Sequence, residues 1–139
     1  YEIHERLVGS EMCIRDRQYS RMTVTVTGDD DVLEQIEKQL AKLVDVKEIM
    51  ELPLDASVCR ELILIKVEAD ASRRQDVAAI ADIFRANIVD VSCEGTMTIE
   101  LTGSQSKLSA FIELLDDFKI TELARTGITG LARGAASLK

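Results

Sequence analysis

The chain has 139 residues, 46% of them apolar, no Trp and a formal net charge of −8. That length suits one domain or two small ones, and the acid surplus repels phosphate backbones, which argues against nucleic-acid binding. No apolar run approaches the ~20 residues of a bilayer-spanning helix and no signal peptide is legible, so no membrane role and a cytoplasmic location are expected.

The first 17 residues, YEIHERLVGSEMCIRDR, sustain neither a helical nor a strand period. Along EIHERLVGSEMCIRDR they resemble the translated sequencing-adapter stretch that heads some gene models assembled from metagenomic reads. Residues 1–17 are therefore expected to be a non-native leader in which His4 and Cys13 carry no function. The rival reading is a natural N-terminal arm.

At 22–28 the chain reads MTVTVTG. Met22, Val24 and Val26 alternate with polar residues, the period of a half-buried strand, and Gly28 ends it. Leu33, Ile36, Leu40 and Leu43 then share one helical face, with Asp31 before Glu34 as the expected helix start. GDDD at 28–31 lacks the alternating ligands and distal glutamate of a calcium loop and reads as an acidic helix start. VDVKEIM, 44–50, is the next expected strand.

CRELILIKVEA, 59–69, predicts a long strand. Ile63, Ile65, Val67 and Ala69 share one face, which puts Leu62 and Leu64 on the other. Two leucines on an open sheet face are candidate contacts for another chain or domain. Ser72 and Gln75 predict a capping box, and Val77, Ile80, Ala81 and Phe84 trace the helical face that follows. NIVDVSC, 87–93, is a strand, and Glu94 with Gly95 makes a hairpin turn.

MTIELTG at 97–103 nearly repeats 22–28, seventy-five residues on. Ser104 starts a helix with Leu108, Phe111, Ile112 and Leu115 on one face. Leu108, Phe111 and Leu115 match Leu33, Ile36 and Leu40 at the same offset. Glu113, Asp116 and Asp117 lie on its polar side and read as solvated carboxylates, not an acid–base pair. ITELART, 120–126, is the closing strand.

The order from 59 to 126 is βαββαβ, that of the α+β ferredoxin-like sandwich, two helices on one face of a four-stranded antiparallel sheet. Residues 18–54 supply only its second half, strand, helix, strand. In this order the first strand lies between the third and the fourth. Only 21 residues precede Met22, so an empty central position is expected between 22–27 and 44–50.

Cys13, Cys59 and Cys93 form no CxxC pair and His4 is the only histidine, so neither a zinc site nor a Cys–His nucleophile is expected. Cys59 and Cys93 read as small buried apolar residues in a reducing compartment. RNA-recognition modules share the βαββαβ order but stack bases on sheet aromatics, and the expected strands carry none. GITGLARG, 127–134, is the most unusual stretch. Gly127 and Gly130 permit close backbone approach, and Arg125 and Arg133 could pair with an acidic surface. It is a candidate docking segment beside its plainer reading as a flexible tail.

From Tyr19 onward the chain resembles the small, regulatory subunits of acetolactate synthase, also called acetohydroxyacid synthase. The stretches that carry this are SRMTVTVTGDDDVLEQIEKQLAKLVDVKEI (20–49), RELILIKVEA (60–69), IFRANIVDVS (83–92) and ARTGITGLARG (124–134). The resemblance implies the C-terminal half of an ACT domain, an amino-acid-sensing ferredoxin-like module that works as a dimer, at 18–54. It implies a C-terminal domain of related fold at 57–139. It further implies no catalysis and no cofactor of its own. The family binds and activates the thiamine-diphosphate-dependent large catalytic subunit and confers feedback inhibition by branched-chain amino acids in valine, leucine and isoleucine biosynthesis. The family grips its effector with the loop after the first strand, the start of the first helix and the second strand. Those positions have no counterpart here, so no effector-binding residue is assigned. The alternative is an ACT-like sensing or dimerisation module of another metabolic enzyme.

Overall fold

The computed structural model describes residues 5–12 and 20–138. In chain order its elements are β1 (Glu5–Met12), β2 (Ser20–Thr27), α1 (Asp30–Ala41), β3 (Met50–Pro53), a 3-10 turn (Leu54–Ala56), β4 (Ser57–Glu68), α2 (Arg74–Phe84), β5 (Asn87–Val91), β6 (Thr96–Gly103), α3 (Gln105–Leu114), β7 (Ile120–Arg125) and β8 (Thr129–Ala132). They fall into two compact units, residues 1–59 with 128–139, and residues 60–127. This grouping puts residues 128–139 with the first unit, while their strand β8 pairs with β4.

The second unit has the expected ferredoxin-like order. Its sheet runs β5-β6-β4-β7, with β8 also pairing β4, and the β5–β6, β6–β4 and β4–β7 pairs are antiparallel. Ile63, Ile65 and Val67 pair in register with Leu101, Ile99 and Met97. These six are buried together with Val77 and Ala81 of α2 and with Leu108 and Phe111 of α3. Phe84 meets Phe111 edge-on at 5.3 Å between ring centroids, a geometry that aromatic quadrupoles favour. Each buried large apolar side chain contributes about 1.5–3 kcal/mol, so this cluster is the main source of stability.

In the second unit the helix and turn signals hold with one exception. The Ser104 hydroxyl caps α3, accepting from the Lys107 N–H. Gly95 has φ 90 in the turn between β5 and β6, a backbone state that a side chain would strain. The expected Ser72–Gln75 capping box does not form, because α2 begins at Arg74 with no side-chain cap. Asp70 organises the entry: its Oδ1 accepts from the Ser72 hydroxyl and from the N–H groups of Ser72 and Arg73. The Ser72 hydroxyl, foremost among these donors, holds the Asp70 carboxyl below the usual range.

Three expectations for the first unit are corrected. The cap of α1 is Asp29, whose Oδ1 accepts from the Val32 N–H at 3.0 Å. Asp29 is the last extended residue (φ −84, ψ −179), so the helix already includes Asp31. The strand expected at 44–50 starts only at Met50. Lys42, Leu43 and Val46 give their N–H groups to turns that close the helix, and Val44 is 87% exposed.

The third correction is the sheet itself, ordered β2-β1-β3. The central position is filled, by a strand from the stretch read as a leader. β1 pairs with β2 from Glu5↔Thr27 to Met12↔Ser20 and with β3 from Arg6↔Pro53 to Gly9↔Met50. A vacant centre would leave two rows of backbone donors and acceptors unpaired, a cost that favours any extended segment in that place. The filling is less apolar than in the second unit. Val26, Val24 and Met22 have Arg6, Val8 and Ser10 as register partners. Among the residues whose side chains are described, Val26 and Leu33 form a buried cluster with Val24, Ile36, Leu40 and Ile49 packed against them, Leu52 of β3 is fully buried, and Met22 is 61% exposed.

Candidate functional site

The helix-free face of the second sheet is the first candidate surface. Alternation along β4 buries Ile63, Ile65 and Val67 and leaves Leu62 half-buried and Leu64 40% exposed. In register beside them stand Thr102 and Glu100 of β6 and Ala124 of β7. One step along, Lys66 pairs with Glu122 at 3.0 Å. The face is polar around two leucines.

Arg125 has an internal role that the sequence reading did not assign. Its Nε and Nη2 donate to Glu61 Oε1 and Oε2 at 2.8 and 3.0 Å, a bidentate clamp that matches guanidinium to carboxylate. Glu61 is 5% exposed, and its hydrogen bond, the leading cause, holds the Arg125 guanidinium above its usual range. A signal for this was legible: Glu61 has the inward parity of Ile63 and Ile65, and a buried carboxylate needs a partner. Arg125→Ala would leave Glu61 unpaired. Because Arg125 is itself partly exposed, the loss is expected to be about 1–2 kcal/mol, read as a lower urea midpoint. Leucine at both positions should recover part of it.

Next to this clamp Thr126 extends the β4–β7 pairing. Its N–H donates to the Leu62 carbonyl at 3.1 Å, and its hydroxyl accepts from the Leu62 N–H at 3.1 Å. Gly127 follows at φ 79. Gly130 lies buried in β8, where its N–H donates to Thr23 Oγ1 and its carbonyl accepts from Arg21 Nη2. Arg133 is exposed, while its N–H donates to the Ala56 carbonyl at 3.0 Å. Neither Arg21 nor Thr23 was singled out from sequence. They act through contacts more than a hundred residues away, which no local pattern records.

The remaining candidates stay plain. Asp30 and Asp31 fill the first turn of α1, where the helix dipole favours carboxylates. Glu113, Asp116 and Asp117 are exposed. Cys59 is half-buried and Cys93 exposed, which corrects their reading as buried apolar residues, because Cys93 falls in the turn before β6 and not in a strand. Among the described residues no group of three or more His, Cys, Asp or Glu could hold a metal. No helix there is long and apolar enough to cross a membrane.

A complete ferredoxin-like unit, with a second unit that repeats its strand–helix half, defines the class: an ACT-type α+β module. Comparison with known proteins narrows it. A family profile described as the small subunit of acetolactate synthase matches residues 60–134. One described as an AHAS small subunit-like ACT domain matches residues 7–48. The acetolactate synthase small subunit of Mycobacterium bovis is 46% identical over 134 residues, covering 96% of this chain and 77% of its own length. The isozyme 3 small subunit of Salmonella typhimurium is 48% identical over 120 residues, covering 86% and 73%. The crystal structure of the Thermotoga maritima small subunit superposes with a TM-score of 0.82 at 38% identity, covering 97% of this chain and 83% of that one. The chain belongs to the acetolactate synthase small-subunit family.

Proposed function

We propose that the chain is a non-catalytic regulatory subunit that binds and activates the large, thiamine-diphosphate-dependent subunit of acetolactate synthase. It acts in branched-chain amino-acid biosynthesis, in the cytoplasm, and self-associates as a dimer. The collinear match of both units to this family carries the reading. Feedback inhibition by valine or its relatives belongs to the parent activity, and no effector-binding residue is assigned in this chain. The open face around Leu62 and Leu64 supports docking, since exposed leucines on a sheet find their gain in burial. Gly127 and Arg133 mark a second approach from the tail.

The test is the pair Leu62→Ser with Leu64→Ser. Removing two partly exposed leucines leaves Ile63, Ile65 and Val67 in place, so the unfolding midpoint should hardly move. Affinity for the large subunit, or self-association, should fall by about tenfold or more. Sedimentation velocity on the chain alone and on the mixture reads both. Unchanged association in each case would remove this face from the proposal.

A further inference from the structure

The repeat gives α1 and α3 the same place in their units, yet their flanks are covered unequally. Ile36, Leu40 and Leu43 stand at the positions of Phe111, Leu115 and Phe118. In the second unit those three are buried, and α2 is what covers two of them. Its Phe84 lies edge-on to Phe111, and its cap residue, Arg73, holds its guanidinium 4.1 Å from the centre of the Phe118 ring. In the first unit Ile36 and Leu40 are only half-buried, Leu43 is 55% exposed and Val32 is 40% exposed. Among the described residues α1 is the only α-helix of that unit. An open trough follows it, lined by Val32, Gln35, Ile36, Gln39, Leu40 and Lys42.

The charges along α1 say what fits there. Asp30, Asp31, Glu34 and Glu37 fill its first two turns, and Lys38 and Lys42 lie at its end. A second helix of this sequence, laid antiparallel, sets acid against base at both ends and opposes the two helix dipoles. Asp31 and Lys42 are about three turns apart, so they stand on one line along the helix. With a two-fold axis beside Ile36, Asp31 of each helix faces the partner's Lys42.

We propose that α1 is a dimerisation helix: two copies of this chain pack α1 against α1, antiparallel about that axis, and each fills in the other the place that α2 holds beside α3. Burial of Val32, Ile36 and Leu43 supplies the gain, and the two Asp31–Lys42 contacts fix the direction. One isologous contact closes both troughs. The pairing gives a surface to the self-association proposed above, rests on that part of the reading alone and needs no large subunit.

Sedimentation velocity on the chain alone tests it, at low salt, where charges are least screened. Asp31 and Lys42 are both exposed. Asp31→Lys sets base against base across the axis, and Lys42→Glu sets acid against acid. Each variant by itself should dimerise about tenfold more weakly than the parent. An equimolar mixture of the two should regain the parent's affinity, because each then offers the charge that the other needs. That rescue also shows that both variants are folded, since a chain that had lost α1 could not be rescued. A parent that is monomeric at every concentration, variants that associate like the parent, or a mixture no tighter than its components would each overturn the pairing. A dimer that survives both charge reversals but not Leu62→Ser with Leu64→Ser would keep the self-association and sink the α1 surface.

Discussion

Phe111→Ala is expected to destabilise the second unit by about 3–5 kcal/mol, whereas Ile36→Ala, at the equivalent place in the repeat, should cost the first unit only about 1–2 kcal/mol. The difference follows from what surrounds each position. Phe111 is fully buried, meets Phe84 edge-on and faces a sheet lined by Ile63, Ile65, Ile99 and Leu101. Truncating it opens a cavity that a close-packed core cannot fill. Ile36 is half-buried, packed against Val26 and Leu33, and solvent already reaches much of it. The two units should accordingly open separately, with amides of 22–26 exchanging at lower urea than those of 97–101. Urea-dependent amide exchange on both variants measures this. Equal losses, or equal protection in 22–26 and 97–101, would show that the repeat is energetically symmetric.

With pyruvate, thiamine diphosphate and magnesium the chain alone is expected to form no acetolactate, and with a cognate large subunit to raise its rate several-fold. Valine, leucine and isoleucine should then inhibit the mixture no more than they inhibit the large subunit by itself. The reason is chemical. An effector shifts an equilibrium only through contacts that differ between two states, and the resemblance assigns those contacts to a loop, a helix start and a second strand. The stretches that carry the resemblance, 20–49, 60–69, 83–92 and 124–134, do not include that loop, helix start or strand. Acetolactate assays over a range of each amino acid decide it. Saturable inhibition that depends on this chain would show that its residues build a sensor.

The sequence by itself determined the second unit nearly to the residue. Ile63, Ile65 and Val67 alternate, Val77 to Phe84 and Leu108 to Leu115 keep the helical spacing, and Gly95 and Ser104 mark a turn and a cap. Each signal is local, and each agrees with burial in one core. It also determined the open parity of Leu62 and Leu64, since period two leaves no choice of face. Element edges were less legible where several acceptors compete within a few residues: Asp29 displaced Asp31, and Asp70 displaced Ser72.

Only the tertiary structure decided the rest, because those contacts join residues far apart in the chain. Glu61 found Arg125 across the β4–β7 ladder. Gly130 found Arg21 and Thr23, and the expected tail carries a strand, β8, that pairs with β4. A stretch with no period of its own, Glu5–Met12, took the centre of the first sheet. Periodicity reports what a side-chain pattern prefers. It cannot report a vacancy elsewhere in the fold, where unpaired backbone groups reward any chain that lies extended between them.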